Sequence, residues 1–186
     1  MEISEVTERA MSHMQKSEDF CKSQIDKIRT GRASASLLDE ISVDAYGATT
    51  PIAQTATVSA PDARTLIVQP WDKSLLSSIE KAITSSNLGF NPQNDGQIIR
   101  IPIPTLTEER RLEFVKMAKN NCEDAKIAIR NIRRDCNEIL KKAEKDKELS
   151  EDFMKQGEVE VQELTNDFIK NIENLFSSKE KELLQG

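Results

Sequence analysis

The clearest potential for binding chemistry in this chain lies in five consecutive residues, Arg130-Asn131-Ile132-Arg133-Arg134. A guanidinium group stays charged at every physiological pH and can donate two parallel hydrogen bonds to a phosphate or a carboxylate. Arginines on a helix surface are commonly paired with an acid three or four residues away. Arg134 has Glu138 at that spacing, whereas Arg130 and Arg133 have no such acid. The cluster therefore predicts an anionic partner. The competing hypothesis is a solvated basic face that carboxylates from elsewhere in the fold neutralise.

These arginines belong to the longest uninterrupted helical pattern in the sequence, which is predicted to run from Thr107 to Lys147. Apolar or small residues recur there at alternating spacings of three and four, the heptad pattern of a helix that packs against other helices. Ile129 and Cys136 lie on this stripe, so the neighbouring arginines are predicted to face outward beside it. Thr107 precedes two glutamates, which is typical of a helix N-terminus.

Charge is unevenly distributed along the 186 residues. The net charge of −6 disfavours general nucleic-acid binding. Residues 110–142, however, contain ten Lys or Arg against five Asp or Glu, a local charge of +5, whereas residues 149–186 contain four against nine, a local charge of −5. A basic stripe beside an acidic helix can bind phosphates while the rest of the surface repels them.

Helical patterns also cover residues 3–28 and 150–184, with Ser150 as the predicted N-cap of the latter. Residues 30–105 have a different, mixed pattern. Its predicted elements are strands at Leu37–Tyr46, Gln54–Ser59, Thr65–Gln69 and Gln97–Ile103, turns at Tyr46–Pro51 and Ala60–Ala63, a helix at Leu75–Ser85 and a loop at Asn91–Gly96. Pro102 and Pro104 restrict the last strand to an edge or a strand end.

The order of these elements predicts an α+β fold. A three-helix bundle, residues 1–29 and 106–186, contains a small β/α/β domain, residues 30–105, inserted between its first and second helices. The link between the second and third helices is short, so these helices are predicted to form an antiparallel hairpin. The two chain crossings between the domains form a natural hinge. Gly157, inside the third helix, is predicted to be a weak point of about 1 kcal/mol relative to Ala.

Enzyme chemistry is not predicted. Phosphate-loop, dinucleotide-binding, zinc-protease and nucleophile-elbow motifs are absent from the sequence. His13 is the single histidine, so neither a metal site nor a cofactor is expected. Cys21, Cys122 and Cys136 form no CxxC pair and are interpreted as small buried residues of a reducing compartment.

Targeting features also point away from membranes. The sequence has no run of 18 apolar residues, and its acidic N-terminus lacks the core of a signal peptide. We therefore expect a cytoplasmic protein with no membrane partner. Trp71, the only tryptophan, has two interpretations: packing in the core of the small domain, which is favoured, or an exposed contact for a protein partner.

Several segments of the chain, in order, resemble the bacterial ribosome recycling factors. They are Lys27–Ser34 (KIRTGRAS) followed by Leu37–Asp39 (LLD), Leu88–Pro92 (LGFNP), Leu106–Arg111 (LTEERR), Arg130–Asp135 (RNIRRD) and Lys147–Asp152 (KELSED). The resemblance covers the whole chain. One departure is Ala35, where the family commonly has Pro, and this could loosen the first crossing between the domains.

The resemblance implies an L-shaped molecule with a flexible elbow between a three-helix bundle and a β/α/β domain. It implies action after translation termination, on a ribosome that still holds mRNA and deacylated tRNA. The bundle would bind large-subunit rRNA near the intersubunit region, and elongation factor G with GTP would act with the small domain to separate the subunits. We expect the protein to act as a monomer.

Candidate residues follow from the charge pattern together with the resemblance. The predicted rRNA-binding set is Arg130, Arg133, Arg134, Lys126, Arg110 and Arg111, and the predicted hinge set is Arg29, Thr30, Gly31, Arg32, Pro104 and Thr105. Arg29 and Arg32 have two open interpretations, contact with rRNA or pairing with acids that sets the hinge angle. A coiled-coil adaptor that binds proteins is the rival function, and a hydrolase built on the small domain is a third class without candidate residues.

Overall fold

The structure, a computed structural model, describes residues 2–185 and divides the chain into two compact units. A helical unit consists of residues 2–29 together with Glu108–Gln185, and an inserted unit consists of Thr30–Thr107. The two units contain separate hydrophobic clusters. The predicted α+β fold class is confirmed.

The helices are α1 (Ile3–Asp26), α2 (Leu76–Ser85), α3 (Glu108–Lys145) and α4 (Glu151–Gln185). Helices α1, α3 and α4 form the helical unit, and α2 belongs to the inserted unit. Helix α3 is continuous over 38 residues, with acids in its first turn and lysines in its last. Those charges complement the helix dipole at both ends.

The core of the helical unit follows the heptad stripe read from the sequence. Its buried residues include Val6, Ala10, Met14, Cys21 and Ile25 from α1, Cys122, Ala125, Ile129, Cys136 and Leu140 from α3, and Val161, Phe168 and Ile172 from α4. Removal of these apolar side chains from water is the main favourable contribution to packing the three helices. Because this stripe faces inward, the residues beside it are left on the flanks of the helices.

Gly157 lies where α4 packs against Leu140 of α3. A Cβ atom at this position would lie 2.9 and 3.0 Å from the two Cδ atoms of Leu140, which is itself fully buried. Overpacking of this kind costs about 1–3 kcal/mol, which offsets the gain of about 1 kcal/mol that Ala brings to a helix. Ala at this position would require the Leu140 side chain to shift, and the weak point of about 1 kcal/mol stays a prediction.

The connection between α3 and α4 is short and fully specified by backbone contacts. Lys147 adopts a positive φ of 61°, and the Glu148 N–H donates to the Ala143 carbonyl at 2.8 Å. The Ser150 hydroxyl accepts a hydrogen bond from the Phe153 N–H at 3.3 Å. The predicted N-cap at Ser150 is therefore confirmed.

The inserted unit contains two antiparallel sheets. Its strands are β1 (Ser42–Ala45), β2 (Ala48–Pro51), β3 (Ala56–Asp62), β4 (Thr65–Pro70), β5 (Gln93–Asn94) and β6 (Ile99–Pro102). Strands β1 and β2 form a hairpin, and the second sheet has the order β3-β4-β6-β5. Pro102 ends β6, as predicted for a residue that has no backbone N–H to donate.

Several predicted element boundaries in the inserted unit were wrong. Ala35–Leu38 forms a 3-10 helix, which the Ser34 hydroxyl caps by accepting from the Ser36 N–H, so the first strand begins only at Ser42. Tyr46 and Gly47, both at positive φ, are enough to make the hairpin turn, and the rest of the predicted turn is β2. The predicted turn at Ala60–Ala63 is largely strand, because β3 continues through a bulge to Asp62.

The core of the inserted unit is built from β4, β6 and α2. It includes Leu66, Val68, Ile79, Ile83, Ile99 and Ile101, all fully buried. Trp71 is not part of it: its side chain is 66% exposed, so the favoured prediction of core packing was wrong. The Trp71 indole N–H instead donates to the Thr57 hydroxyl at 2.9 Å.

Trp71 lies in a surface group that we call the aromatic corner, in which Tyr46, Thr57 and Trp71 are exposed and Asp72 is half-buried. The Tyr46 hydroxyl donates to the Asp72 carboxylate, which also accepts from the Ser74 N–H at 2.9 Å. These hydrogen bonds hold the pKa of Asp72 below its usual value and raise the pKa of Tyr46. The polar atoms of the corner thus satisfy one another.

None of the helices over residues 2–185 is long and apolar enough to cross a membrane. Over the same residues, no three His, Cys, Asp or Glu side chains are grouped so as to hold a metal ion.

Candidate functional site

The arginine surface consists of Arg130, Arg133 and Arg134 on the flank of α3. Arg130 and Arg134 are exposed and Arg133 is half-buried, while the adjacent Ile129 and Cys136 are buried in the core. The heptad spacing produces this arrangement, because a helix that buries one stripe must turn the neighbouring positions outward. The outward direction predicted for the arginines is confirmed.

Lysines on either side of the arginine surface pair with glutamates of α4. The Lys126 amino group lies 3.4 Å from Glu173, and the Lys141 amino group lies 3.6 Å from Glu158. Both pairs have the same antiparallel register. The flank of α3 that carries the arginines is therefore the one beside α4.

Between these two ion pairs, α4 presents neutral residues. The shared register places Gln162, Asn166 and Ile169 opposite the arginine surface. The Gln162 side-chain N–H donates to the Asn166 side-chain carbonyl at 2.9 Å, so these two amides bond to each other. Helix α4 thus supplies carboxylates at both ends of the flank and none along its middle.

Within residues 2–185, Arg130 and Arg133 form no hydrogen bond and no ion pair. Arg134 donates to the Asn131 side-chain carbonyl at 3.4 Å, and its predicted pairing with Glu138 is not observed. The alternative of tertiary carboxylate partners fails for this surface, because the acids of α4 are engaged at Lys126 and Lys141 instead. The guanidinium groups keep their donors available for an external anion.

Asn137, one turn beyond Arg133, adds a second unsatisfied group. Its side-chain carbonyl oxygen is buried and accepts no hydrogen bond from residues 2–185. Buried polar atoms normally have a partner, so each exception invites an explanation. Sequence analysis did not single out Asn137.

The other predicted basic residues are in different surroundings. Lys126 is only 15% exposed and lies between Glu123, at 3.5 Å, and Glu173, so its charge is already compensated. Arg110 pairs with Glu113 at 3.0 Å and stacks over the Phe114 ring at 5.8 Å. Arg111 is half-buried, and its Nε is a buried donor without a hydrogen-bond partner among residues 2–185.

The predicted hinge residues lie where the chain enters and leaves the inserted unit. Gly31 has a φ of 78°, and a Cβ there would lie 3.2 Å from the Leu106 Cγ, so the two crossing segments are in contact. The Ala33 N–H donates to the Ala63 carbonyl at 2.8 Å, which anchors the chain just after the first crossing. Arg29 and Thr30 are half-buried, whereas Arg32, Pro104 and Thr105 are exposed.

Sequence comparison places the chain among known proteins. A model of the family described as "Ribosome recycling factor" matches residues 21–184. The ribosome-recycling factor of Oleidesulfovibrio alaskensis is 56% identical over 162 residues, which cover 87% of this chain and 88% of that protein. The factor of Carboxydothermus hydrogenoformans is 50% identical over 182 residues, or 98% of both chains.

Comparison with solved structures agrees. A solution structure of a ribosome recycling factor has a TM-score of 0.78 and 36% identity, covering 100% of this chain and 99% of that one. A second match, with a TM-score of 0.65, 46% identity and coverage of 99% and 100%, is the T. thermophilus ribosome recycling factor with the E. coli elongation factor G bound to the E. coli post-termination complex. Helices, insertion and sequence agree along the full chain, and on this evidence the protein belongs to the ribosome recycling factors, a family of non-enzymatic translation factors.

Proposed function

We propose that this protein recycles ribosomes by binding large-subunit rRNA through the arginine surface, and that elongation factor G with GTP then drives separation of the subunits. The observation that carries the proposal is the pair Arg130 and Arg133, which have no partner within residues 2–185, while the acids of α4 at the two ends of this flank pair with Lys126 and Lys141. The site of action is the intersubunit region of ribosomes in the cytoplasm, and the protein acts as a monomer.

The chemistry of the surface suits RNA better than protein. RNA helices are recognised mainly through phosphates, 2′-hydroxyls and shape. Guanidinium groups bond to phosphate oxygens in pairs, and each such contact is worth about 1.5–3 kcal/mol.

The rest of the molecule supports a single orientation on RNA. Helix α4 is acidic, and Glu160, Glu163 and Asp167 line a groove between α4 and α1 together with Glu8. The acidic side of α4 that faces α1 repels phosphate, whereas the side of the helical unit that carries the arginine surface attracts it. Opposite charge on the two flanks of one helix therefore selects which side of the helical unit faces rRNA.

Elongation factor G is the expected source of energy. The sequence has no phosphate-binding loop, so nucleotide hydrolysis must come from a partner. A family relative is known together with elongation factor G on a post-termination complex. The same partnership is proposed for this chain.

We further propose that the two crossings at residues 29–32 and 104–105 act as the hinge of the recycling step. Gly31 supports this, because its positive φ and its contact with Leu106 suit no other residue well. Gly31→Ala should lower the rate of subunit separation with elongation factor G while leaving subunit binding unchanged. Gly47→Ala is the matched control, since Gly47 has a φ of 79° and nothing lies within 4 Å of the position that a Cβ atom would take. Equal rates for the two variants would contradict the hinge.

The experiment that tests the rRNA proposal measures binding to purified large ribosomal subunits over a salt series. Log affinity should fall steeply with log salt concentration, and Arg130→Ala or Arg133→Ala should each reduce the slope by about one unit. Lys22→Ala, at an exposed lysine of α1, removes the same charge elsewhere and should leave the slope unchanged. Binding that is indifferent to salt and to both arginines would favour the adaptor function instead.

A further inference from the structure

Two buried cysteines from different helices face each other in the core of the helical unit. The Cys21 sulfur of α1 lies 3.9 Å from the Cys122 sulfur of α3, and both residues are 2% exposed. They are 101 residues apart in sequence, so no local sequence motif predicts that they meet. Neither belongs to the arginine surface or to the hinge.

The two thiols have unequal environments. The contact between the two thiols lowers the pKa of Cys21 and raises that of Cys122. Burial adds to the increase at Cys122. A thiolate is the nucleophilic form of cysteine, so Cys21 is the member of the pair that is prepared to attack.

Access to the pair is also unequal. A groove of about 320 Å³ lies between α1 and α3, and Cys21 is part of its lining together with Lys16, Phe20 and Asp124. Cys122 does not line this groove. A small oxidant in the groove therefore meets the Cys21 sulfur first. Cys136, the third cysteine, is buried elsewhere on α3, and burial raises the pKa of its thiol.

We propose that Cys21 and Cys122 are an oxidation site at which hydrogen peroxide forms an intramolecular disulfide that joins α1 to α3. The Cys21 thiolate attacks one peroxide oxygen, the O–O bond breaks, and the departing hydroxide is protonated to water. Cys21 is then a sulfenic acid. The Cys122 sulfur attacks the Cys21 sulfur, the S–O bond breaks, and the hydroxyl leaves as a second water with the Cys122 proton. Two thiols lose two electrons, and one peroxide is reduced to two waters.

The geometry requires only a local adjustment. The sulfurs must close from 3.9 Å to about 2.05 Å. The bond would close a covalent loop that contains the whole inserted unit, because Thr30–Thr107 lies between the two cysteines in sequence. Oxidation would thus tie the first and second helices of the helical unit together without touching the proposed rRNA contacts.

The test treats the folded chain with hydrogen peroxide, blocks the remaining thiols and maps the digested peptides by mass spectrometry. We expect a loss of two hydrogens from the chain and a peptide cross-linked through Cys21 and Cys122, reversible by dithiothreitol. Cys136→Ala should leave the yield unchanged, and Cys122→Ala should accumulate a sulfenic acid on Cys21 that dimedone traps. Cys21→Ala should give no sulfenic acid on Cys122.

A denatured control shows whether the folded structure, rather than closeness in sequence, decides which two cysteines are joined. In denaturant, loop closure favours the Cys122–Cys136 pair over the Cys21–Cys122 pair by about twentyfold, because the intervening chain is much shorter. In the folded protein the Cys21–Cys122 cross-link should instead exceed the Cys122–Cys136 cross-link by at least about tenfold. This ratio corresponds to a free-energy difference of roughly 1.4 kcal/mol. Oxidation of Cys136 at the rate of Cys21, or no cross-link in the folded chain, would overturn the proposal.

Discussion

The arginine surface and the aromatic corner are both exposed and polar, yet they differ in how their hydrogen bonds are used. At the aromatic corner, Tyr46 donates to Asp72 and Trp71 donates to Thr57. On the arginine surface, Arg130 and Arg133 have no partner within residues 2–185. The corner is complete by itself, whereas the arginine surface has donors left over.

This difference separates two kinds of conspicuous surface residue. An exposed tryptophan or tyrosine invites assignment to a binding site, but side chains that satisfy one another lose hydrogen bonds if a partner displaces them. Unpaired guanidinium groups lose only water when they bind an anion. The arginine surface is therefore the better candidate for a ligand, and the following variants test the contrast, beginning with the largest expected effect.

Combined replacement of Arg130, Arg133 and Arg134 by Ala should weaken binding to large ribosomal subunits by about a thousandfold, or about 4 kcal/mol, if three charge-assisted contacts are lost. The free energy of unfolding should change by less than about 0.5 kcal/mol, since these side chains support no internal ion pair within residues 2–185. Titration of subunits and urea unfolding measure the two quantities. Unchanged affinity in a folded variant would rule out the surface as the rRNA contact.

Asn166→Glu should make the arginine surface resemble the aromatic corner by supplying an internal partner. A carboxylate opposite the arginines would compete with phosphate and repel it, so affinity for large subunits should fall by about tenfold. Asn174→Glu makes the same change on the flank of α4 that faces α1, where Asn174 lines a groove with Glu18. A similar loss in both variants would indicate a general effect of net charge.

In contrast to the arginine variants, Trp71→Phe should lower the stability of the protein and leave its binding to large subunits unchanged. Removal of the hydrogen bond to Thr57 should lower the free energy of unfolding of the inserted unit by about 0.5–1 kcal/mol, as followed by chemical denaturation. A double-mutant cycle with Thr57→Val isolates the pair. Weaker subunit binding by Trp71→Phe would show that the aromatic corner is a contact after all.

The smallest expected effect concerns the pH dependence of the aromatic corner. The pKa of Asp72 is lowered chiefly by the hydrogen bond from Tyr46, so its stabilising contribution is present above the unfolded pKa, near 3.8, and is lost as pH falls through the folded pKa. The pKa of Tyr46 is raised above its usual value of 10. The stabilising contribution of Tyr46 is therefore present below the unfolded pKa and is lost as pH rises through the folded pKa. Tyr46→Phe should raise the Asp72 titration midpoint in a carboxyl NMR titration, and an unmoved midpoint would contradict the bond.

Local periodicity accounts for most of the helical unit. The heptad stripe of α3 predicted most of the buried residues, although Leu112 at its start is exposed, and it predicted that the arginines face outward. The same reasoning was weaker in the inserted unit, where a 3-10 helix replaced the start of the first predicted strand and β2 occupied a predicted turn. Short strands carry few residues per element, so hydrogen bonds with distant partners decide their bounds.

The amino-acid sequence by itself determined the α+β class, the long helices and the outward direction of the arginines, because these depend on spacings within one helix. Only the tertiary structure decided that Glu173 of α4 neutralises Lys126 while no carboxylate of α4, as far as Gln185, neutralises Arg130. It likewise decided that Trp71 is exposed and that Cys21 meets Cys122. The physical reason is that these contacts depend on the register between separate elements, and side-chain spacing along one helix does not encode that register.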